Sequence, residues 1–273
     1  MQVELLTPTV GARVSEFNAA SASQETIDDL IKLIGDKGVL HLPAQFLDAA
    51  ALERFATRFG EPWMGNFLKP IEGHSYAIPI KNNGKSLAIS ERWHADSTYD
   101  QFPPYLSFLT AIELPPLGGD TMWCNQYLVY EHLPEGVKNL INRVRAVHYN
   151  RGQVKVRSGQ NRDDLPGFAH PLVIKHPVSG RPSFYLSAHA EHLEGISKED
   201  SAVLLDWLRR YNGQPAFTYR HRWSPGDLII WDNRCTTHYA VHDYGDYPRY
   251  LNRVTVAGPQ PQPYFDIDQG TPS

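Results

Sequence analysis

Two cysteines, Cys124 and Cys235, in 273 residues are too few for a disulfide framework or a zinc ribbon. No apolar run approaches the roughly 20 residues that cross a bilayer. The opening Met1-Gln2-Val3-Glu4 lacks the basic-then-apolar pattern of a secretory signal. Together these absences predict a cytoplasmic protein that does not enter a membrane. Basic charge is not in excess either. With a net charge of −4, nothing points to nucleic acid as a partner. There is no internal repeat and no linker-like stretch, so residues 1–273 read as one domain, with a core of about 39–258 and a frayed Pro- and Gln-rich tail over 259–273. There is also no glycine fingerprint after a first strand and no regular strand–helix alternation. That argues against a doubly wound α/β fold.

What is present is an ordinary globular composition, 41% hydrophobic and 21% charged, on a chain long enough to bury a large core. Helices are predicted from Ser23, where Ile27, Leu30, Ile31 and Ile34 repeat at helical spacing, and from Asp48, with Leu52, Phe55, Ala56 and Phe59 as its stripe. Val39–Leu42 reads as a strand. Residues 61–92 and 151–168 are irregular and read as a wall or lid beside a site. Strands are predicted over Tyr105–Ile112, from Asp120, in a hairpin of 173–174 with 183–186, over Phe217–Trp223, over Asp227–Trp231 and over Arg249–Ala257. A helical pattern spans Tyr127–Val147, interrupted at Leu133-Pro134. Another starts at Ser197, with Val203, Leu204, Trp207 and Leu208 as its apolar face. Many short strands with few helices predict a mainly β protein with flanking α-helices, built on a double-sheet core.

The stretch Trp93-His94-Ala95-Asp96 carries the first chemical signal. In extended chain, His94 and Asp96 point to the same face and make half of a metal site. Taken alone, that spacing is better explained by a hydrogen-bonded His–Asp pair. A second histidine is found after Trp231-Asp232-Asn233-Arg234, at His238. Two imidazoles and one carboxylate on one face of an ion leave three positions open, the arrangement of non-heme iron oxygenases. Arg249 and Arg253 lie four apart on a predicted strand, roughly 13 Å from each other at about 3.3 Å per residue, a span that suits two separate anions.

As a set, in order and at matching separations, His94-Ala95-Asp96, Gly118-Gly119-Asp120-Thr121, His176-Pro177-Val178-Ser179-Gly180, Trp231-Asp232-Asn233-Arg234 with His238, and Arg249 resemble the taurine/2,4-D (TauD/TfdA) family of Fe(II)- and 2-oxoglutarate-dependent dioxygenases. The likeness runs from about Val39 to Gly258. It implies a double-stranded β-helix, or jelly roll. It also implies iron on His94, Asp96 and His238, with the distal carboxylate of 2-oxoglutarate on Thr121 and Arg249. O2 would be the second cosubstrate, and succinate and CO2 would form as a C–H bond of a small anionic substrate is oxidised. Arg253 is the implied holder of the substrate anion. The stretches Leu68-Lys69, Ala188–Gly195 and Tyr219–Trp223 resemble the 2,4-D (aryloxyalkanoate) branch more than the taurine enzymes, which adds Lys69 and His189 as substrate contacts. Relatives are commonly dimers or tetramers. Trp93 and Trp231 are expected to pack the site, Asp232 to brace the turn before His238, and Asp120 to brace a turn. His242 and Cys235 fall off the ligand pattern. A zinc metallohydrolase would use the same three ligands but gives no role to Arg249 with Thr121. A non-catalytic jelly-roll binding protein has no use for an intact triad.

Overall fold

The computed structural model describes residues 1–65, 68–82, 90–150 and 167–267. The predicted lid over 151–168 therefore lies almost entirely outside the described residues. Strands outnumber helices among those that are described. They are β1 (Gln2–Leu5), β2 (Ala12–Ser15), β3 (Val39–Leu42), β4 (Pro62–Trp63), β5 (Ile78–Asn82), β6 (Leu106–Glu113), β7 (Thr121–Asn125), β8 (Arg145–His148), β9 (Phe168–Pro171), β10 (Val173–Lys175), β11 (Pro182–Phe184), β12 (Ala190–Leu193), β13 (Thr218–His221), β14 (Leu228–Asp232), β15 (Thr236–Ala240) and β16 (Arg249–Val256). The helices are α1 (Gln24–Lys37), α2 (Ala49–Ala56), α3 (Gln126–His132), α4 (Glu135–Ile141) and α5 (Lys198–Arg209).

A major sheet runs β1-β2-β3-β14-β6-β16-β4, with β5 also paired to β16. Three smaller sheets are β13-β7-β15, β12-β8-β9 and β10-β11. The major sheet buries both faces, and its pleat sorts the side chains by parity. Leu40, Leu42, Leu106, Phe108, Leu228, Ile230, Val254 and Val256 form one cluster with Ile27, Leu30 and Ile34 of α1 and Leu52 and Phe55 of α2. The alternate residues Val39, Leu109, Ile229, Trp231 and Leu251 pack instead with Trp123 of β7 and Trp223. The β13-β7-β15 sheet thus faces the major sheet across this second cluster, and the functional residues lie in that interior.

Local chemistry fits the elements. Ser23 and Asp48 cap α1 and α2 by accepting from the Thr26 and Ala51 amides, contacts worth about 1 kcal/mol each. Gly38, at φ +76°, ends α1 with its amide on Ile34 O. Each fully buried Leu or Phe on this face contributes roughly 1.5–3 kcal/mol.

Three expectations are corrected. Residues 145–147 are strand β8, not the end of a helix, because β8 is claimed on both sides by β9 and β12. The face of α5 buries Ser201, Leu205 and Leu208, whereas Val203 and Trp207 are exposed; the helix is rotated to meet β12, and the Ser201 hydroxyl accepts from the Leu193 amide. The condition under which His94 and Asp96 share a face, an extended chain, is not met, because this stretch is not a strand. It makes a single bridge to His238, and Asp96 already begins a turn.

Candidate active site

His94 reaches the site by pairing with β15. His94 and His238 exchange both backbone hydrogen bonds, at 3.0 and 2.7 Å. On its other side His238 pairs with Trp123 of β7. Residues directly opposite in a ladder share a face, so His238, Trp123 and Tyr219 line one side of the interior, and Ala240, Thr121 and His221 continue the same face two residues along. The turn that presents β15 is braced by Asp232. This buried carboxylate accepts from His176 Nε2 at 2.8 Å and from the Arg234 amide at 2.8 Å, while Thr236 Oγ1 donates to the Asp232 carbonyl. Trp231 lies 5.0 Å from the His238 ring. Both Asp232 and Trp231 therefore play the supporting parts expected of them. His242 pairs with Glu91 rather than with the metal group. Burial pushes the Cys235 thiol well above its ordinary range. Asp120 takes an ion pair from Arg220 at 2.6 Å.

His94, Asp96 and His238 converge as the sequence reading expects. All three are buried, and one ligand atom from each lies within 4.8 Å of the others. His94 Nδ1 donates to the Arg92 carbonyl at 2.8 Å, which leaves the Nε2 lone pair free. His238 Nε2 stands 3.8 Å from Asp96 Oδ1, and its buried Nδ1 has no hydrogen-bond partner among the described residues. Burial lowers both imidazole pKa values, that of His238 strongly. Burial also opposes the Asp96 charge, but Arg253, His238, His94 and the Ser107 hydroxyl outweigh it and hold that carboxyl well below its usual range. Two neutral imidazoles and an ionised carboxylate are the protonation state that metal ligation requires. The donor set fits a divalent ion with several open positions.

Asp96 is oriented by residues the sequence reading did not single out. Ser107 of β6 donates to Oδ2 at 2.9 Å, and Asn233 Nδ2 donates to the Ser107 hydroxyl at 2.9 Å. Asn233 Oδ1 accepts from the Asp96 amide. A buried serine on a strand is an ordinary core residue, so Ser107 carried no signal. Asn233 stood inside a recognised motif without an assigned role.

Arg249 and Thr121 are brought into contact. Arg249 Nη2 donates to Thr121 Oγ1 at 3.2 Å, and its Nε donates to Gly119 O at 2.8 Å. Trp223 Nε1 also donates to Thr121 Oγ1, at 3.1 Å. The hydroxyl accepts twice, so its own proton remains available for a further acceptor. Gly119 sits at φ +71°, and a Cβ there would meet Arg249 Cδ at 3.0 Å. The Gly118-Gly119 turn therefore lets the backbone carbonyl approach the guanidinium. Burial lowers the Arg249 pKa to about 10, which still leaves it charged at neutral pH.

Arg253 sits two pleats along β16 and engages a different group. Its Nη1 donates to Asp96 Oδ1 at 3.0 Å, and its buried Nε has no partner among the described residues. The two arginines thus engage different groups, Arg249 a carbonyl and a hydroxyl and Arg253 a carboxylate. His189 is buried 6.5 Å from the His94 ring and 5.1 Å from Tyr99, and burial with the nearby His94 lowers its pKa to about 4. Lys69 lies on the exposed chain after β4. Trp93 packs on Tyr239 of β15, its ring 5.6 Å away.

No helix among the described residues is long and apolar enough to cross a membrane. Residues 2–255 match the model of the family described as taurine catabolism dioxygenase TauD, TfdA family. The chain is 34% identical to an alkylsulfatase of Acinetobacter baylyi, covering 94% of this chain and 85% of the relative. It is also 34% identical to an alpha-ketoglutarate-dependent 2,4-dichlorophenoxyacetate dioxygenase of Burkholderia sp. strain RASC, covering 93% and 94%. The solved structure of AAD-2 in complex with Mn(II) and N-oxalylglycine superposes with a TM-score of 0.84 at 26% identity, covering 96% of this chain and 99% of the other. Equal identity to the alkylsulfatase and to the 2,4-D enzyme leaves the chain unassigned between these branches, so the expected lean toward 2,4-D is not resolved. A fold spanning two facing sheets, a buried His–Asp–His group and a family match over nearly the whole length lead to one conclusion: the chain belongs to the TauD, TfdA family of Fe(II)- and 2-oxoglutarate-dependent dioxygenases.

Proposed function

We propose that this dioxygenase oxidises a C–H bond of a small organic anion, using iron held by His94, Asp96 and His238 inside a double-stranded β-helix core. The facing of the β13-β7-β15 sheet and the major sheet across one interior supports that core. The observation that carries the functional reading is the contact of Arg249 with Thr121 beside the buried triad. When bound, the iron supplies O2 activation coupled to decarboxylation of 2-oxoglutarate to succinate and CO2.

The chain's own residues do the positioning. The Arg249 guanidinium has donors left after Gly119 and Thr121 are served, and it grips the far carboxylate of 2-oxoglutarate as a charged fork. The Thr121 hydroxyl gives that carboxylate one further hydrogen bond. Ser107 and Asn233 fix Asp96, and the Arg92 carbonyl fixes His94, so the ligands do not reorient as substrate enters. Arg253 neutralises Asp96 and offers its unpartnered Nε to the substrate anion. His189 forms a neutral wall near His94, and Lys69, on the exposed chain after β4, is the second cation proposed for the substrate anion. The burial of Arg249, Thr121, Asp96, His94, His238 and His189 excludes bulk water and strengthens each contact among them.

The substrate is an organic anion with an oxygen beside the oxidised carbon, either a sulfate ester or an aryloxyalkanoate. Hydroxylation at such a carbon gives a hemiacetal-like product, which collapses and cleaves the C–O bond. The equal identity to an alkylsulfatase and to a 2,4-dichlorophenoxyacetate dioxygenase supports both members of this class. The test is succinate formation from 2-oxoglutarate with alkyl sulfates and aryloxyalkanoates. Expected is turnover that needs Fe(II), 2-oxoglutarate and O2 together, and a KM for 2-oxoglutarate raised about 100-fold or more in Arg249→Ala with metal binding retained, from loss of about 3 kcal/mol of charged hydrogen bonding. Zinc-dependent ester hydrolysis without succinate, or an unchanged KM in Arg249→Ala, overturns the reading. The assembly proposed is a homo-oligomer, dimer or tetramer, measurable by light scattering.

A further inference from the structure

The cosubstrate anchor is backed by a second group of the same composition as the iron triad. His41 on β3, His221 on β13 and Asp227 just ahead of β14 converge with one ligand atom each within 4.8 Å. His41 Nε2 lies 2.8 Å from Asp227 Oδ1, and His221 Nε2 lies 3.1 Å from Asp227 Oδ2. The two rings are 4.7 Å apart. Nothing in the proposed reaction uses these residues.

We propose that His41, His221 and Asp227 form a second divalent-metal site, separate from the iron triad, that takes a four-coordinate ion such as Zn2+. Two imidazoles and a carboxylate are zinc donors, and ligand atoms about 2.0–2.1 Å from a tetrahedral zinc stand roughly 3.4 Å from one another. To reach that spacing the His41 nitrogen has to withdraw from the carboxylate by about 0.6 Å and the His221 nitrogen by about 0.3 Å. Both Nε2 atoms already face the same carboxylate, so the ion replaces the protons they now share with it.

The surroundings fit ligation. Tyr219 OH lies 2.9 Å from His221 Nδ1. A phenol both donates and accepts, so its oxygen accepts the hydrogen bond from Nδ1–H when Nε2 binds metal, the outer contact common to metal-bound histidines. The Ser224 amide donates to Asp227 Oδ2 at 2.8 Å and holds the carboxylate in place. The His41 side chain is 12% exposed, against 3% for His221 and Asp227, so an ion would enter from the His41 side and take its fourth ligand from solvent.

The consequence is mechanical. The ion would tie β3 and β14 of the major sheet to β13 of the facing sheet. The His221 ring lies 4.8 Å from that of Trp223, whose indole N–H holds the Thr121 hydroxyl. The second site thus clamps the layer directly behind the 2-oxoglutarate anchor.

Equilibrium dialysis of the full chain against micromolar ZnCl2, read by elemental analysis, tests the proposal. The wild type is expected to hold two equivalents of zinc. The double variant His94→Ala/His238→Ala keeps one, and in that background Co2+ gives a tetrahedral visible band. His41→Asn, at the rim, leaves the His221–Asp227–Ser224 contacts in place and weakens the second equivalent at least tenfold; Asp227→Asn removes it and the cobalt band. A single equivalent in the wild type, or a second equivalent that survives both His41→Asn and Asp227→Asn, overturns the proposal and leaves a hydrogen-bonded His–Asp–His clasp.

Discussion

Replacing Thr121 by valine keeps the shape of the side chain and deletes one oxygen. That oxygen accepts from Arg249 Nη2 at 3.2 Å and from Trp223 Nε1 at 3.1 Å, and its proton is the one left for a cosubstrate carboxylate. Losing a hydrogen bond to a charged group costs about 1.5–3 kcal/mol. At 1.4 kcal/mol per tenfold, 2-oxoglutarate should bind roughly 10- to 100-fold more weakly to Thr121→Val. The free protein also suffers, because two buried donors lose their acceptor, at about 1–3 kcal/mol each. Bound cosubstrate re-pairs the Arg249 donor but not the Trp223 indole. Thr121→Ser restores the oxygen and should stay within about threefold of wild type, well under 1 kcal/mol. The assay is anaerobic calorimetric titration of the Mn(II)-loaded protein with 2-oxoglutarate, beside urea unfolding of the free protein. Wild-type affinity in Thr121→Val, or equal losses in the valine and serine variants, would refute the assignment of this hydroxyl.

Three further outcomes follow from neighbouring contacts. Ser107→Ala deletes the donor to Asp96 Oδ2 and strands Asn233 Nδ2; Mn(II) affinity should fall about tenfold, a typical effect of removing a ligand's outer partner, and an unchanged titration counts against that role. Gly119→Ala places a Cβ 3.0 Å from Arg249 Cδ at φ +71°; stability should drop by about 1–2 kcal/mol and the 2-oxoglutarate KM should rise with metal affinity intact, whereas equal losses of both ligands would point to general unfolding. Burial lowers the His170 pKa to about 4 from an ordinary 6.5. Its folded value lies below its unfolded one, so its contribution is complete above pH 6.5 and is lost as pH falls toward 4. Between pH 7 and pH 5 that amounts to about 2 kcal/mol, which urea unfolding should show in the wild type and find diminished in His170→Gln.

The chain by itself determined the chemistry-bearing residues and the helices nearest the N-terminus. Helices α1 and α2 announce themselves through caps and a 3.6-residue apolar stripe, because burial against one sheet face imprints a local period. The proposed iron ligands and the proposed Thr121–Arg249 anchor were legible because metal and carboxylate chemistry restricts which residue types can serve, and they recur in a recognisable order. Tertiary structure decided the rest. Strands β8, β12 and β15 owe their form to long-range pairing, which leaves little trace in a four- or five-residue segment. The side of α5 that is buried depended on where β12 lay. The partners that make the triad rigid, Ser107 from β6 and Asn233 from the turn after β14, converge on Asp96 from 11 and 137 positions away. Local sequence records which residues can bind; only the closing of two sheets over one interior decides what holds them still.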